Sequence, residues 1–182
     1  LLPLLVALPL GFGAIFFHDV VAELLSVQNP IIARYTWVIF SVAFATAYFE
    51  VFYSWARVHF KSVLGNTLKE IYPRASILAL LLLYAANAIN LDAFFGLLVG
   101  LYYVRLVLMM LIAFRIQPPK FSFQKPKNLT ELLKYSLYLV LAASAGSLII
   151  DIDKSMLSQY LDITETAFYA VAIYTALSLI HI

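Results

Sequence analysis

Ile77-Leu78-Ala79-Leu80-Leu81-Leu82-Leu83 is an unbroken apolar run with no polar side to turn toward water. A strand of a lipid-facing barrel alternates apolar with polar over about ten residues, and this stretch does not. A helix satisfies every backbone polar group within itself, so the run is expected to be a helix in lipid. Working outward, Tyr72-Pro73 precedes the run and is expected to open its helix, since Pro is harmless where no N–H is needed. Downstream, Asn90-Leu91-Asp92 forms a tight link to the next apolar segment. Six segments approach the roughly 20 apolar residues a bilayer core requires. They cover residues 1–17, 32–56, 73–91, 93–114, 134–156 and 164–182. The expected fold class is all-α, with polytopic transmembrane helices.

Composition supports this. Of 182 residues, 64% are hydrophobic and only 12% charged, and mean hydropathy is +0.93. A soluble core of this size could not hide so much apolar surface. The chain has no Cys, which excludes disulfides, thiolate metal sites and thiol catalysis. The Leu-rich start lacks the basic flank and cleavage site of a signal peptide. Leu1 in place of Met, and an apolar end at Ile180-His181-Ile182, are read as a piece of a longer chain.

Charge gives an orientation. Basic residues gather on the cytoplasmic side of membrane proteins. Arg57, Lys61, Lys69 and Arg74 lie between spans two and three. Arg115, Lys120, Lys125, Lys127 and Lys134 lie between spans four and five. Asp19, Glu23, Asp92, Asp151, Asp153, Asp162 and Glu165 fall in the alternate links. The basic links are therefore expected inside and the chain to be multi-pass. The Pro-containing link 115–133 is expected to divide the chain into 1–114 and 134–182, with Asn128 or Thr130 capping the helix that follows.

Ionisable residues at membrane depth usually face a partner or a cavity. Thr46, Glu50, Tyr53 or Ser54, Arg57 and Lys61 share one helix face by their spacing. Arg105 stands near the middle of span four, beside Tyr102 and Tyr103. Two readings stand: Glu50 and Arg105 pair with each other, or Arg105 meets an anionic substrate. In span five, Ser144, Ser147, Asp151, Lys154 and Ser158 form a polar stripe at helical spacing, with Asp153 off it. The stripe lines an aqueous cavity or wets a helix end. Tyr35, Trp37, Tyr53 and Trp55 bracket span two as interfacial anchors.

No GxxxxGK[ST], HExxH or GxSxG sequence occurs, and His18, His59 and His181 are scattered. No catalytic residue, cofactor, metal site or nucleic-acid partner is expected.

Leu133-Lys134-Tyr135-Ser136-Leu137, then Ala145-Gly146-Ser147-Leu148-Ile149-Ile150-Asp151-Ile152-Asp153-Lys154-Ser155-Met156-Leu157, then Ala167-Phe168-Tyr169-Ala170-Val171-Ala172 resembles the start of the second half of polysaccharide flippases. These belong to the multidrug/oligosaccharidyl-lipid/polysaccharide exporter superfamily. Asp153-Lys154-Ser155-Met156-Leu157 matches the family's D-[KR] element, while Ala167 stands where a Gly usually lies. The resemblance implies a transporter of twelve to fourteen helices in two bundles, of which this chain would be the middle. It implies transfer of lipid-linked oligosaccharide or polysaccharide precursor across the bacterial cytoplasmic membrane by alternating access, not an enzyme. Arg105 and Lys154 would contact the anionic head, with Glu50, Asp151, Asp153 and Ser147 around the same cavity. A proton or cation would be a coupling partner. Two alternatives remain: a cation-coupled multidrug exporter of the same superfamily, and a membrane-embedded glycosyl- or phospho-transferase. The last would need Asp151, Asp153 and Asp162 as clustered acids.

Overall fold

In a computed structural model, residues 30–118 and 128–180 are described. All regular structure among them is helical: α1 (Pro30–Val58), α2 (Val63–Asn66), a π turn (Thr67–Ile71), α3 (Tyr72–Ala85), α4 (Leu91–Ile116), α5 (Leu129–Tyr160) and α6 (Ile163–Ile180). The expected span 1–17, with Asp19, Glu23 and Lys120 to Lys127, lies outside the described residues. Two helices, 34–58 and 91–116, are long and apolar enough to cross a membrane.

The described residues fall into two units, the first 34–118 and the second 128–180 together with 30–33. In the first unit α1 and α4 run side by side in the same direction. Arg34 Nη2 and Tyr35 Oη both bond the Asp92 carboxylate, at 2.8 and 2.7 Å, near the two helix starts. Tyr35 stacks on Phe95 with ring centroids 4.2 Å apart. Near the two helix ends Phe52 meets Phe114 edge-on at 5.6 Å, and the Trp55 indole donates to the Gln117 carbonyl at 3.3 Å. Contacts therefore climb both helices together over about 30 Å, close to a hydrocarbon core. Two parallel neighbours need a return between them, and the chain makes it through residues 63–85. The links holding Arg57 and Arg115 consequently come to the same end, and Asp92 lies at the other.

The α-helix of the return opens at Tyr72 with Pro73 in its first turn, as expected, but helical backbone already precedes it. Backbone angles stay helical from Val63 through Thr67 and Tyr72 to Ala85. Pro73 thus sits inside a continuous helical path. It lacks the N–H that would reach the carbonyl of residue 69, and its ring crowds that carbonyl. The wide π turn just upstream gives the chain room to pass. Ser62, Val63, Leu64, Leu68 and Ile71 carry the start of this helix. Part of what reads as a polar link is helix.

Both preceding helices end in the same device. Asn87 N–H bonds the Tyr84 carbonyl and Ala88 N–H the Leu83 carbonyl, at 2.9 and 3.0 Å. Phe60 N–H bonds Arg57 and Lys61 N–H bonds Ala56, both at 3.0 Å. Each is a Schellman closure around a left-handed residue, with φ of 56° at Asn87 and 57° at Phe60. Asn tolerates that conformation; Phe carries a cost of about 1–2 kcal/mol. α4 then starts on Asn90, whose Oδ1 accepts from Ala93 N–H at 2.8 Å. The expected link at Asn90-Leu91-Asp92 is thus a side-chain cap.

The core of this unit is small. Phe49, Tyr53, Ala56 and Met109 are buried, with Phe52, Leu68, Leu106, Ile112 and Ile116 packed around them. Ala45, Ala56 and Ala113 are at most 1% exposed. Most other large apolar side chains point outward, among them Leu78, Leu82, Val104 and Leu111. In the second unit α5 and α6 are joined through Leu161 and Asp162. Asn128 stands at the N-cap of α5 without a side-chain bond to the helix. Leu133, Leu137, Tyr138, Leu139, Val140 and Leu141 of α5 are all exposed.

Candidate functional site

The first unit places Arg105 and the Glu50–Lys69 pair in two layers between α1, the return helix and α4. Arg105 is 5% exposed, the one charged side chain buried among the described residues. Its position on α4 places the guanidinium carbon 3.9 Å from the Phe49 ring centroid and 5.6 Å from that of Tyr102. A cation on a ring face is attracted by the negative π surface, the more strongly when water is excluded. The rings do not accept the in-plane N–H bonds of the fork. Nε has no hydrogen-bond partner among the described residues. A buried guanidinium with an open donor is suited to a planar anion.

One helical turn toward the basic end lies the second layer. Lys69 Nζ is 2.7 Å from Glu50 Oε1, with the two side chains about 36% and 40% exposed. Lys69 Nζ also sits 5.2 Å from the Tyr53 ring centroid, and the Arg57 guanidinium 5.6 Å from it. The Tyr53 hydroxyl donates to Asn66 Oδ1 at 2.7 Å. Gly65 makes this packing feasible. A Cβ there would stand 2.5 and 2.8 Å from Tyr53 Cδ2 and Cε2. The π turn carries Lys69 to Glu50, so the irregular helix and the ion pair belong together.

The expected pairing of Glu50 with Arg105 is replaced: the partner of Glu50 is Lys69. Lys69 comes from the link expected to be cytoplasmic loop. Its signal in the sequence was the helical spacing Leu64, Leu68, Ile71 that places it on a helix. Phe49, Asn66 and Gly65 also belong to the site and were not singled out, because nothing local marks a Phe as the floor under a distant Arg. Tyr103, beside Arg105 in sequence, instead lies 3.5 Å from Ser41 Oγ. Thr46 is half-buried and Ser54 exposed. Ser147, Asp151, Asp153, Lys154 and Ser158 lie on the α5 backbone, and their side chains lie outside the described residues. Among the described residues no three of His, Asp and Glu converge as a metal site.

The pairing has a direct check. A double-mutant cycle of Glu50→Gln with Lys69→Met, read by thermal unfolding in detergent, is expected to give a coupling of about 0.2–1 kcal/mol. The cycle of Glu50→Gln with Arg105→Met should give the smaller coupling. The reverse order would remove Lys69 as the partner.

No protein-family model, curated protein or solved structure matches the chain.

Proposed function

We propose that the chain is the middle of a polytopic transporter that flips a lipid-linked oligosaccharide or polysaccharide precursor across the bacterial cytoplasmic membrane. On this reading six helices cross the bilayer as part of two bundles, and the links at Arg57 and Arg115 face the cytoplasm. The observation that carries it is Arg105, buried at mid-helix between Phe49 and Tyr102 with Nε open. The cargo head joins a phosphate anion to sugars. A guanidinium fork suits the first and flat aromatic faces suit the second. Outward-facing apolar side chains along α1, α4 and α5 support a lipid surrounding. Lys154, Asp151, Asp153 and Ser147 remain the candidate cargo residues that the resemblance implies for the second half.

The cation-coupled drug exporter is the second reading, and Glu50 is the observation that favours it. Its salt bridge to Lys69 weakens that case, since a carboxylate already paired with a cation is less free to take up another. Neutralising Arg105 or Lys154 in the full-length protein, at unchanged expression, should reduce glycan export. Full export in both variants would overturn the flippase reading. A topology reporter at 120–126 that labels from outside would overturn the orientation.

A further inference from the structure

The turn after α1 exposes a ring that the protein does not use internally. Phe60 is 97% exposed and holds φ of 57°. That position closes a helix and normally falls to glycine, which has no Cβ to strain. A costly outlier that brings no internal packing points to an external use. Its surroundings say what kind. Arg57 and Lys61 flank it, both exposed. Trp55, 40% exposed, leans on the end of α4 through the Gln117 carbonyl. The His59 ring bonds the Gln117 side chain. Arg115 stands two residues before Gln117, also exposed. No Asp or Glu occurs in 51–69 or in 93–118. This end of the unit is therefore aromatic and mostly basic, and the nearest acids, Glu50 and Glu70, are already paired with Lys69 and Arg74.

We propose that this end binds the headgroup of an anionic phospholipid, with Phe60 inserted beside it and Arg57, Lys61 and Arg115 on its phosphate. Cations alone would be satisfied by water, and an exposed Phe alone would favour aggregation. A phospholipid leaflet meets both demands within a few ångströms, because acyl chains begin just beneath the charged phosphates. The site is separate from Arg105 and stands whether or not a glycan is the cargo.

The test uses Trp55 as reporter. The chain has two Trp, so Trp37→Phe leaves one indole. The protein is reconstituted in phosphatidylcholine bilayers containing a fixed fraction of brominated phosphatidylglycerol or brominated phosphatidylcholine. Quenching of Trp55 should report an apparent association more than about tenfold stronger for the anionic lipid. Arg57→Gln and Lys61→Gln should each lower that preference about fivefold, the effect of one cation near an anionic surface. Phe60→Gly relieves the backbone, so its melting temperature should not fall while its lipid preference does. Soluble glycerol phosphate should not reverse the quenching. Equal quenching by the two brominated lipids, or a preference that survives the double Arg57→Gln, Lys61→Gln change, would overturn the proposal. Reversal by glycerol phosphate would overturn it too, by making the ligand a free phosphate.

Discussion

Arg105→Met is expected to leave the helical unit folded while cutting glycan export at least tenfold, a change of about 1.4 kcal/mol or more. The two halves of that result have different causes. A buried donor without a partner costs about 1–3 kcal/mol. The stacking of the Arg105 guanidinium on Phe49 at 3.9 Å returns about 0.5–2 kcal/mol. Met keeps the length and removes both terms, so thermal stability in detergent should hold or rise slightly. On the proposed function, transport should suffer because the cargo's anion loses its fork. Arg105→Lys separates charge from shape: it keeps the cation and loses the planar donor set, so export between the two is expected. Normal export by Arg105→Met at equal membrane level would sink the role. Collapse of the fold in that variant would reassign Arg105 to structure.

Gly65→Ala should destabilise the first unit by about 1–3 kcal/mol, read as a fall in melting temperature. Intrinsic helix preference points the other way, since Ala is better than Gly by about 1 kcal/mol in a helix. The overlap wins because the new Cβ would stand 2.5 Å from Tyr53 Cδ2. Tyr53 has little room to give way: it is 5% exposed, stacks on Phe49 at 6.0 Å, and its hydroxyl is held by Asn66. Gly96→Ala and Gly100→Ala are the controls. A Cβ at either meets nothing within 4 Å, and both should be neutral or stabilising. Tyr53→Leu in the Gly65→Ala background should cost less than the two changes summed. Strict additivity would show that the Gly65 contact is not what limits the site.

The local grammar of the chain was legible. Apolar runs placed α1, α4, α5 and α6 within a few residues, and Asn90-Leu91-Asp92 marked a link that turned out to be capped by Asn90. These depend on neighbours in sequence, which is where spacing and capping act. Tyr72-Pro73 marked the start of α3, but the short helix and π turn before it were read as part of a link. Only the π turn, which no local pattern announces, lets Pro lie inside a helix. Partners were harder still. Glu50 faces Lys69 across a turn and a bend, and Arg105 finds Phe49 fifty-six positions away in sequence. Helical spacing says which residues share a face, not which face meets which.

The close seat of Tyr53 against Gly65 also sets a clock. A phenol ring flips about its Cβ–Cγ bond only when neighbours clear the volume it sweeps. Here the Gly65 backbone crowds one edge, Lys69 and Arg57 attend the ring, and Asn66 tethers the hydroxyl. Rotation must wait until residues 63–69 draw away from α1. The exchange of the two ring edges in a nuclear spin label on Tyr53 is therefore timed by the breathing of those helices. It would report how often the Glu50–Lys69 layer opens, without any cargo bound.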